Sequence, residues 1–211
     1  MSYDATSPPV PAPVSWALRS PSGLATALTV LLAVAGAVDL AAGLIGFGTE
    51  DGAGAGFGAD DPLTRETLLL GSVALVQLAL LVATGVVFII WFHRVRVNGG
   101  AFRPDLFSQG PGWAIGAWFV PFLNLVRPFR IAKEIWAASV QAGPDGSARA
   151  LSVTPITLWW MTFVGSNLVS RGSASAGDLL SAVSAVFAVL FVRKLTALQV
   201  TKATQGPYAA S

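Results

Sequence analysis

Residues 111–139 read PGWAIGAWFVPFLNLVRPFRIAKEIWAAS, and the interpretation of the whole chain depends on this stretch. It opens with apolar and aromatic residues typical of a membrane span, but Pro121 interrupts the run and Arg127 ends it. The apolar part, residues 112–126, is only 15 residues long, whereas a spanning helix needs about 20. We therefore predict a re-entrant or interfacial element that enters the membrane without crossing it, followed by a short amphipathic helix.

The composition indicates an integral membrane protein. Hydrophobic residues make up 54% of the chain, charged residues only 11%, and the mean hydropathy is +0.65. In soluble domains about a quarter of the residues are charged. The absence of cysteine and the single histidine, His93, argue against a disulfide, thiolate or imidazole metal site. We predict no catalytic, cofactor or metal residues, and the net charge of +2 gives no indication of nucleic-acid binding.

Four stretches are apolar enough for transmembrane helices: residues 23–47, 67–92, 154–170 and 173–192. The predicted fold is an all-α integral membrane protein with four transmembrane helices and the re-entrant or interfacial helical element, residues 111–140, between the second and the third. Within this fold, residues 23–200 form one membrane domain. Residues 1–22 are a disordered, proline-rich cytoplasmic tail and residues 201–211 a second cytoplasmic tail.

The distribution of charge predicts the orientation of the chain. Between the second and third spans lie seven Lys and Arg residues and three acidic residues, whereas residues 48–66 carry five acidic residues and Arg65. Cytoplasmic loops are enriched in Lys and Arg, so the basic connection is predicted to be cytoplasmic and the acidic loop external. With four spans in the plasma membrane, both termini are then cytoplasmic.

Asp39 is a carboxylate inside the first predicted span. Three glycines share its helical face, Gly36, Gly43 and Gly46, and small residues there allow a second helix to approach closely. Polar side chains at similar depth complete a predicted intramembrane cluster: Asp39, Gln77, Asn167 and Ser184, with Ser166 and Ser181 towards the same side. One interpretation is a proton or ion site. The other is a hydrogen-bonded structural aspartate that joins helices, because the sequence shows no second titratable group at that depth.

The stretch at 111–139 supplies a second candidate site, for lipid or a partner. Aromatic rings suit the membrane boundary and basic residues suit anionic headgroups. The candidate residues are Trp113, Trp118, Asn124, Arg127, Arg130, Lys133, Glu134 and Trp136. Asn124 is placed to bond the carbonyls freed by Pro121, and Arg130 and Glu134 have the spacing of a helical ion pair. The amphipathic helix either lies on the membrane surface or packs under the helix bundle.

The same stretch carries a family resemblance. Preceded by WFHRVRVN at 91–98 and followed by VRKLTALQ at 192–199, it resembles the actinobacterial membrane family called domain of unknown function 4328. The resemblance covers roughly residues 68–199. It implies a multi-helix membrane protein, commonly with a proline-rich cytoplasmic tail, and it implies no reaction or ligand.

Three functions are considered from the sequence. The first is a non-enzymatic membrane module whose aromatic and basic element binds anionic lipid or a protein partner at the cytoplasmic face. The second is a small transporter or channel component that uses Asp39 and a helix broken at Pro121. The third, an intramembrane enzyme, is disfavoured because the sequence contains no HExxH or GxSxG motif and predicts no paired carboxylates at membrane depth. Homo-oligomers through the glycine face are compatible with all three.

Overall fold

A computed structural model describes residues 18–50, 65–147, 149 and 151–208. This part of the chain is all-helical, with no strand beyond an isolated bridge between Ala142 and Tyr208. The helices are α1 (Ser22–Glu50), α2 (Arg65–Phe102), α3 (Trp113–Gly116), α4 (Arg127–Ser139), α5 (Thr154–Val169) and α6 (Ala174–Gln205). Residues 1–17 of the predicted disordered tail and residues 51–64 of the predicted external acidic loop lie outside the described residues.

Three of these helices are long and apolar enough to cross a membrane. The qualifying segments are Ser22–Phe47 in α1, Gly71–Phe102 in α2 and Ala174–Gln205 in α6. α2 and α6 continue well past the ends predicted for their spans at residues 92 and 192, because helical hydrogen bonding continues where the apolar run stops. α5 has 16 residues, about 24 Å of helix, which is less than the roughly 30 Å of a hydrocarbon core. Length therefore identifies three of the four predicted spans.

The glycine face of α1 packs against α6, the most extensive helix contact in the described chain. A Cβ atom added to Gly36 would lie 2.9 Å from the Cβ of Ala185, and one added to Gly43 would lie 2.9 Å from the backbone oxygen of Ser175. At Gly46 the added atom would overlap the Ser175 side chain. The predicted close approach at these glycines is confirmed.

An aromatic core joins α2, α4, α5 and α6 to the segment around α3. Phe191 stacks on Trp159 with their ring centroids 4.9 Å apart, and Phe88 contacts Trp118 edge to face at 5.4 Å. The tryptophans in this core, or packed around it, are Trp91, Trp113, Trp118, Trp136, Trp159 and Trp160. Aromatic pairs of this kind stabilise a core beyond their buried area. Most of the tryptophans thus hold helices together.

α4 closes one end of the bundle. Pro128 occupies its first turn, where its fixed backbone angle is compatible with a helix. Its apolar face, which includes Ile131, Ile135 and Trp136, is buried and contacts α2, α5 and α6. The helix therefore packs under the bundle, as one of the two predicted arrangements requires.

Buried polar contacts fasten this end. The Gln199 amide nitrogen in α6 donates to the Val95 oxygen at 2.8 Å and to the Ser139 hydroxyl at 3.1 Å. Lys202 Nζ donates to the last carbonyls of α4, those of Ala138 and Val140, at 2.8 Å each. Sequence analysis missed these contacts because polar residues beyond a predicted span resemble an ordinary solvated helix end.

Both predicted tail boundaries lie too far from the termini. Residues 201–205 belong to α6, and Lys202 is buried. At the other end the Arg19 backbone N–H donates to the Asn98 side-chain oxygen at 3.2 Å, and Asn98 Nδ2 donates back to the Arg19 oxygen at 2.9 Å. Residues 18–21 and 201–205 are therefore structured, because the first segment bonds to Asn98 near the end of α2 and the second forms the end of α6 against α4.

Candidate functional site

Asp39 and Gln77 are in contact, as the sequence predicts. The Gln77 amide nitrogen donates to one Asp39 carboxylate oxygen at 3.1 Å and to an Asp178 oxygen at 3.3 Å. The Ser181 hydroxyl donates to the other Asp39 oxygen at 2.8 Å. Three helices, α1, α2 and α6, thus meet at a pair of carboxylates bridged by one amide group.

The expectation that Asp39 is the sole carboxylate at its depth is wrong. Asp178 lies close to the start of α6, where the helix dipole favours an anion. α1 continues to Glu50, however, so the first turns of α6 lie beside Asp39. The available sequence signal was the spacing on α6, because Asp178, Ser181 and Ser184 recur every three residues and share a face.

Of the remaining residues predicted for the cluster, some lie beside Asp39 and others do not. Ser184 is buried and faces the same interior space as Asp39. Asn167 lies elsewhere: it is exposed on α5, and its side-chain amide donates to the Phe163 carbonyl of its own helix at 2.7 Å. Ser166 is buried but likewise donates to the Phe163 carbonyl. The structure therefore groups Asp39, Gln77 and Ser184 with Asp178 and Ser181, without Asn167.

A cavity of about 460 Å³ adjoins the carboxylate pair, bounded by α1, α2, α5 and α6. Asp39, Gln77 and Asp178 form a polar part of its lining. Most of the remaining lining is aliphatic and aromatic and includes Phe88, Trp118, Trp159 and Phe163. Among the residues that the structure describes, no Lys, Arg or His lines the cavity.

The lipid or partner candidates at 111–140 separate into buried and exposed groups. Trp118 and Trp136 are part of the aromatic core, so their rings are occupied by packing. Arg130 and Lys133 are exposed, and the Arg127 guanidinium lies 4.7 Å from the centre of the partly exposed Trp113 ring. The exposed basic side chains thus lie on the side of α4 that does not face the bundle.

Two local predictions for this segment are wrong. Arg130 and Glu134 form no ion pair: Glu134 accepts a hydrogen bond from the Ser108 hydroxyl at 3.0 Å, because the segment before α3 folds back over α4. Asn124 bonds the carbonyl of Val120 through its backbone N–H, and its side chain makes no hydrogen bond within the described chain. The ion pair found among the described residues joins Arg103 to Asp105, and this hydrogen bond lowers the pKa of the exposed Asp105 carboxyl.

Between α3 and α4 the chain has only a short 3-10 helix, Leu123–Leu125, and presents apolar side chains outward. Phe119 is 71% exposed and Phe122 is 84% exposed, with Leu125 and Val126 beside them. Phe122 has φ +63°, a left-handed conformation uncommon for a residue other than glycine. We call these four residues, with the basic side chains that follow at Arg127, Arg130 and Lys133, the apolar-basic edge.

Three long apolar helices, a glycine-packed helix pair and a buried aromatic core define this chain as a helical transmembrane protein. A family model described as Domain of unknown function (DUF4328) matches residues 58–177, more than half of the chain. The chain belongs to this family, as the resemblance indicated. The match includes α2 to α5 and ends just before Asp178, so it contains neither Asp39 nor most of α6. No curated protein and no solved structure matches the chain.

Proposed function

We propose that this protein is a non-enzymatic, multi-pass module of the plasma membrane whose apolar-basic edge binds anionic lipid at the cytoplasmic face. α5 is the fourth span in this arrangement. In support, α4 contacts the C-terminal part of α2 and that of α6, so the chain traverses the bundle once between α4 and α6. Both termini are then cytoplasmic, in agreement with the charge distribution.

The observation that carries the proposal is the exposure of Phe119 and Phe122 directly before unpaired basic residues. Phe122 is 84% exposed, and Arg127, Arg130 and Lys133 form no ion pair within the described chain. Apolar rings entering the headgroup boundary beside cations that contact phosphates are typical of interfacial segments. Irregular, exposed backbone is not tolerated in the hydrocarbon region, which favours an interfacial position over a re-entrant one.

The test is neutralisation of the apolar-basic edge, with Arg127, Arg130 and Lys133 all changed to Gln. Each basic residue near an anionic surface contributes about 1 kcal/mol, so binding of a short-chain phosphatidylglycerol should weaken about fivefold for each charge removed. The measurement is titration of the purified protein with this lipid or with phosphatidylcholine at low and high salt. High salt should weaken phosphatidylglycerol binding to the unaltered protein because exposed charges are screened.

A matched control compares Arg130→Gln with Arg171→Gln. Both arginines are exposed, but Arg171 lies between α5 and α6, at the opposite end of the bundle from α4. Only Arg130→Gln should weaken phosphatidylglycerol binding. Unchanged binding in the triple variant would reject lipid as the ligand and leave a protein partner as the occupant of this edge.

Transport is a second candidate function, favoured by the cavity beside the two carboxylates. It requires a pH-dependent flux in proteoliposomes that Asp39→Asn abolishes. No flux through the unaltered protein would exclude it.

A further inference from the structure

We propose that the cavity between α1, α2, α5 and α6 binds an organic cation with an apolar body. The proposal takes its site from the second candidate function and specifies the ligand class. It concerns binding alone, so it does not require that the ligand cross the membrane, and it is independent of lipid contact at the apolar-basic edge.

The charge of the ligand follows from the carboxylate pair. Asp39 and Asp178 accept hydrogen bonds from the same Gln77 nitrogen, so two acidic groups lie within reach of a single ligand atom. No Lys, Arg or His lines the cavity, and neither aspartate forms an ion pair within the described chain. Both aspartates are partly buried, and charges withdrawn from water are normally paired. A bound cation supplies the partner that the protein does not.

The apolar body of the ligand is inferred from the apolar and aromatic side chains that line the rest of the cavity. Phe88, Trp118, Trp159 and Phe163 are among the side chains that line the cavity, and walls of this kind suit a ligand whose body is apolar. The volume of about 460 Å³ falls in the range of roughly 300–1,000 Å³ typical of small-molecule sites. A bare metal ion would leave these walls unused, and the described chain contains no group of three or more metal-ligating side chains.

The cavity is open on one side. Leu78 and Leu81 line the cavity although they are 56% and 66% exposed. The cavity therefore opens along α2 towards the lipid-facing surface, and an amphiphilic cation concentrates in that phase.

The experiment compares two probe ions of the same shape and opposite charge, tetraphenylphosphonium and tetraphenylborate. Equilibrium dialysis of the purified protein should show saturable binding of the phosphonium and none of the borate. Asp39→Asn and Asp178→Asn should each weaken phosphonium binding about tenfold, because each removes one negative charge from the site. Asp105→Asn is the control, since its carboxylate is exposed outside the cavity.

A variant that fills the cavity tests the proposal even if the aspartate variants misfold. Gly85 lines the cavity and a Cβ atom there would meet nothing within 4 Å, so Gly85→Leu should fill the space and abolish phosphonium binding. Gly71 on the same helix is equally open but does not line the cavity, so Gly71→Leu should bind normally.

The proposal is overturned if the unaltered protein does not bind the phosphonium, if it binds both ions equally, as an acyl-chain groove would, or if Gly85→Leu retains binding. Phosphonium binding without any proteoliposome flux would uphold the site and remove the transport function.

Discussion

Single atoms decide how closely α1 and α6 approach. At Gly43 an added Cβ would lie 2.9 Å from the Ser175 backbone oxygen and 2.7 Å from the Leu179 side chain. Backbone cannot move aside as a flexible side chain can, and overpacking of this kind typically costs about 1–3 kcal/mol. The position therefore tests the helix contact directly.

We expect Gly43→Ala to lower the free energy of unfolding by about 1–3 kcal/mol. Unfolding in dodecyl maltoside with increasing dodecyl sulfate, followed by tryptophan fluorescence, gives the measurement. Gly71→Ala is the control, because nothing lies within 4 Å of a Cβ there and alanine is the better helix former. Equal stability of the two variants would contradict the close contact.

At the residue scale the sequence predicted the contacts that depend on position along a single helix. Asp39 and Gln77 were paired because both lie at similar distances from their helix ends. Asp178 was missed because its proximity depends on how far α1 extends beside the start of α6; its spacing with Ser181 and Ser184 shows a shared polar face on α6 but not which helix that face meets. Asn167 was included on depth alone, although its bond to its own helix is an equally common solution for asparagine.

Among the helices, α4 is the one that packs across the ends of two long helices, α2 and α6. Lys202 of α6 donates to the Ala138 and Val140 carbonyls, which the helix itself leaves without partners. A cation near a helix C-terminus is also favoured by the helix dipole. The lysine thus caps α4 from a different helix.

We expect Lys202→Met to loosen the last turn of α4, so that amide hydrogens at 137–141 exchange at least several-fold faster while those of α1 are unaffected. Hydrogen exchange read by mass spectrometry gives the measurement. Arg193→Met removes an exposed charge from the same helix and is the matched control. If both variants exchange alike at 137–141, Lys202 is not a cap.

Element boundaries were predictable only where a breaker marks them. Pro128 correctly marked the start of α4, and its amphipathic pattern correctly predicted one buried face. The end of α2 was placed too early because a hydrophobic run reports the thickness of lipid and not the length of a helix. Trp118 and Trp136 were assigned to the membrane boundary but pack in the aromatic core, since aromatic residues are typical of both places.

For the whole molecule, the proposed topology can be tested without a background signal because the chain contains no cysteine. Gly110 and Gly172 are exposed, and nothing lies within 3.5 Å of a Cβ at either position, so a cysteine fits at both. We expect a membrane-impermeant maleimide to label Gly172→Cys in intact cells and Gly110→Cys only after lysis. Labelling of both from outside would reject the four-span arrangement.

The class and family of the molecule were accessible from sequence because they depend on composition and on one distinctive stretch. The number of crossings was not readable from length, since α5 is shorter than the other candidate spans. The proposed number of crossings depends instead on the enrichment of Lys and Arg in cytoplasmic loops and on the contacts of α4 with the ends of α2 and α6. No pattern in the sequence identifies a cavity that forms between four helices.

The pairing of the first helix with the last has a consequence for biosynthesis. α1 leaves the ribosome before α6, which supplies its glycine-packed neighbour and the Ser181 hydroxyl for Asp39. Until α6 has been translated, α1 therefore lacks this neighbour and this hydrogen bond. A truncated or stalled product would expose that helix, and this makes it a natural recognition mark for membrane quality control.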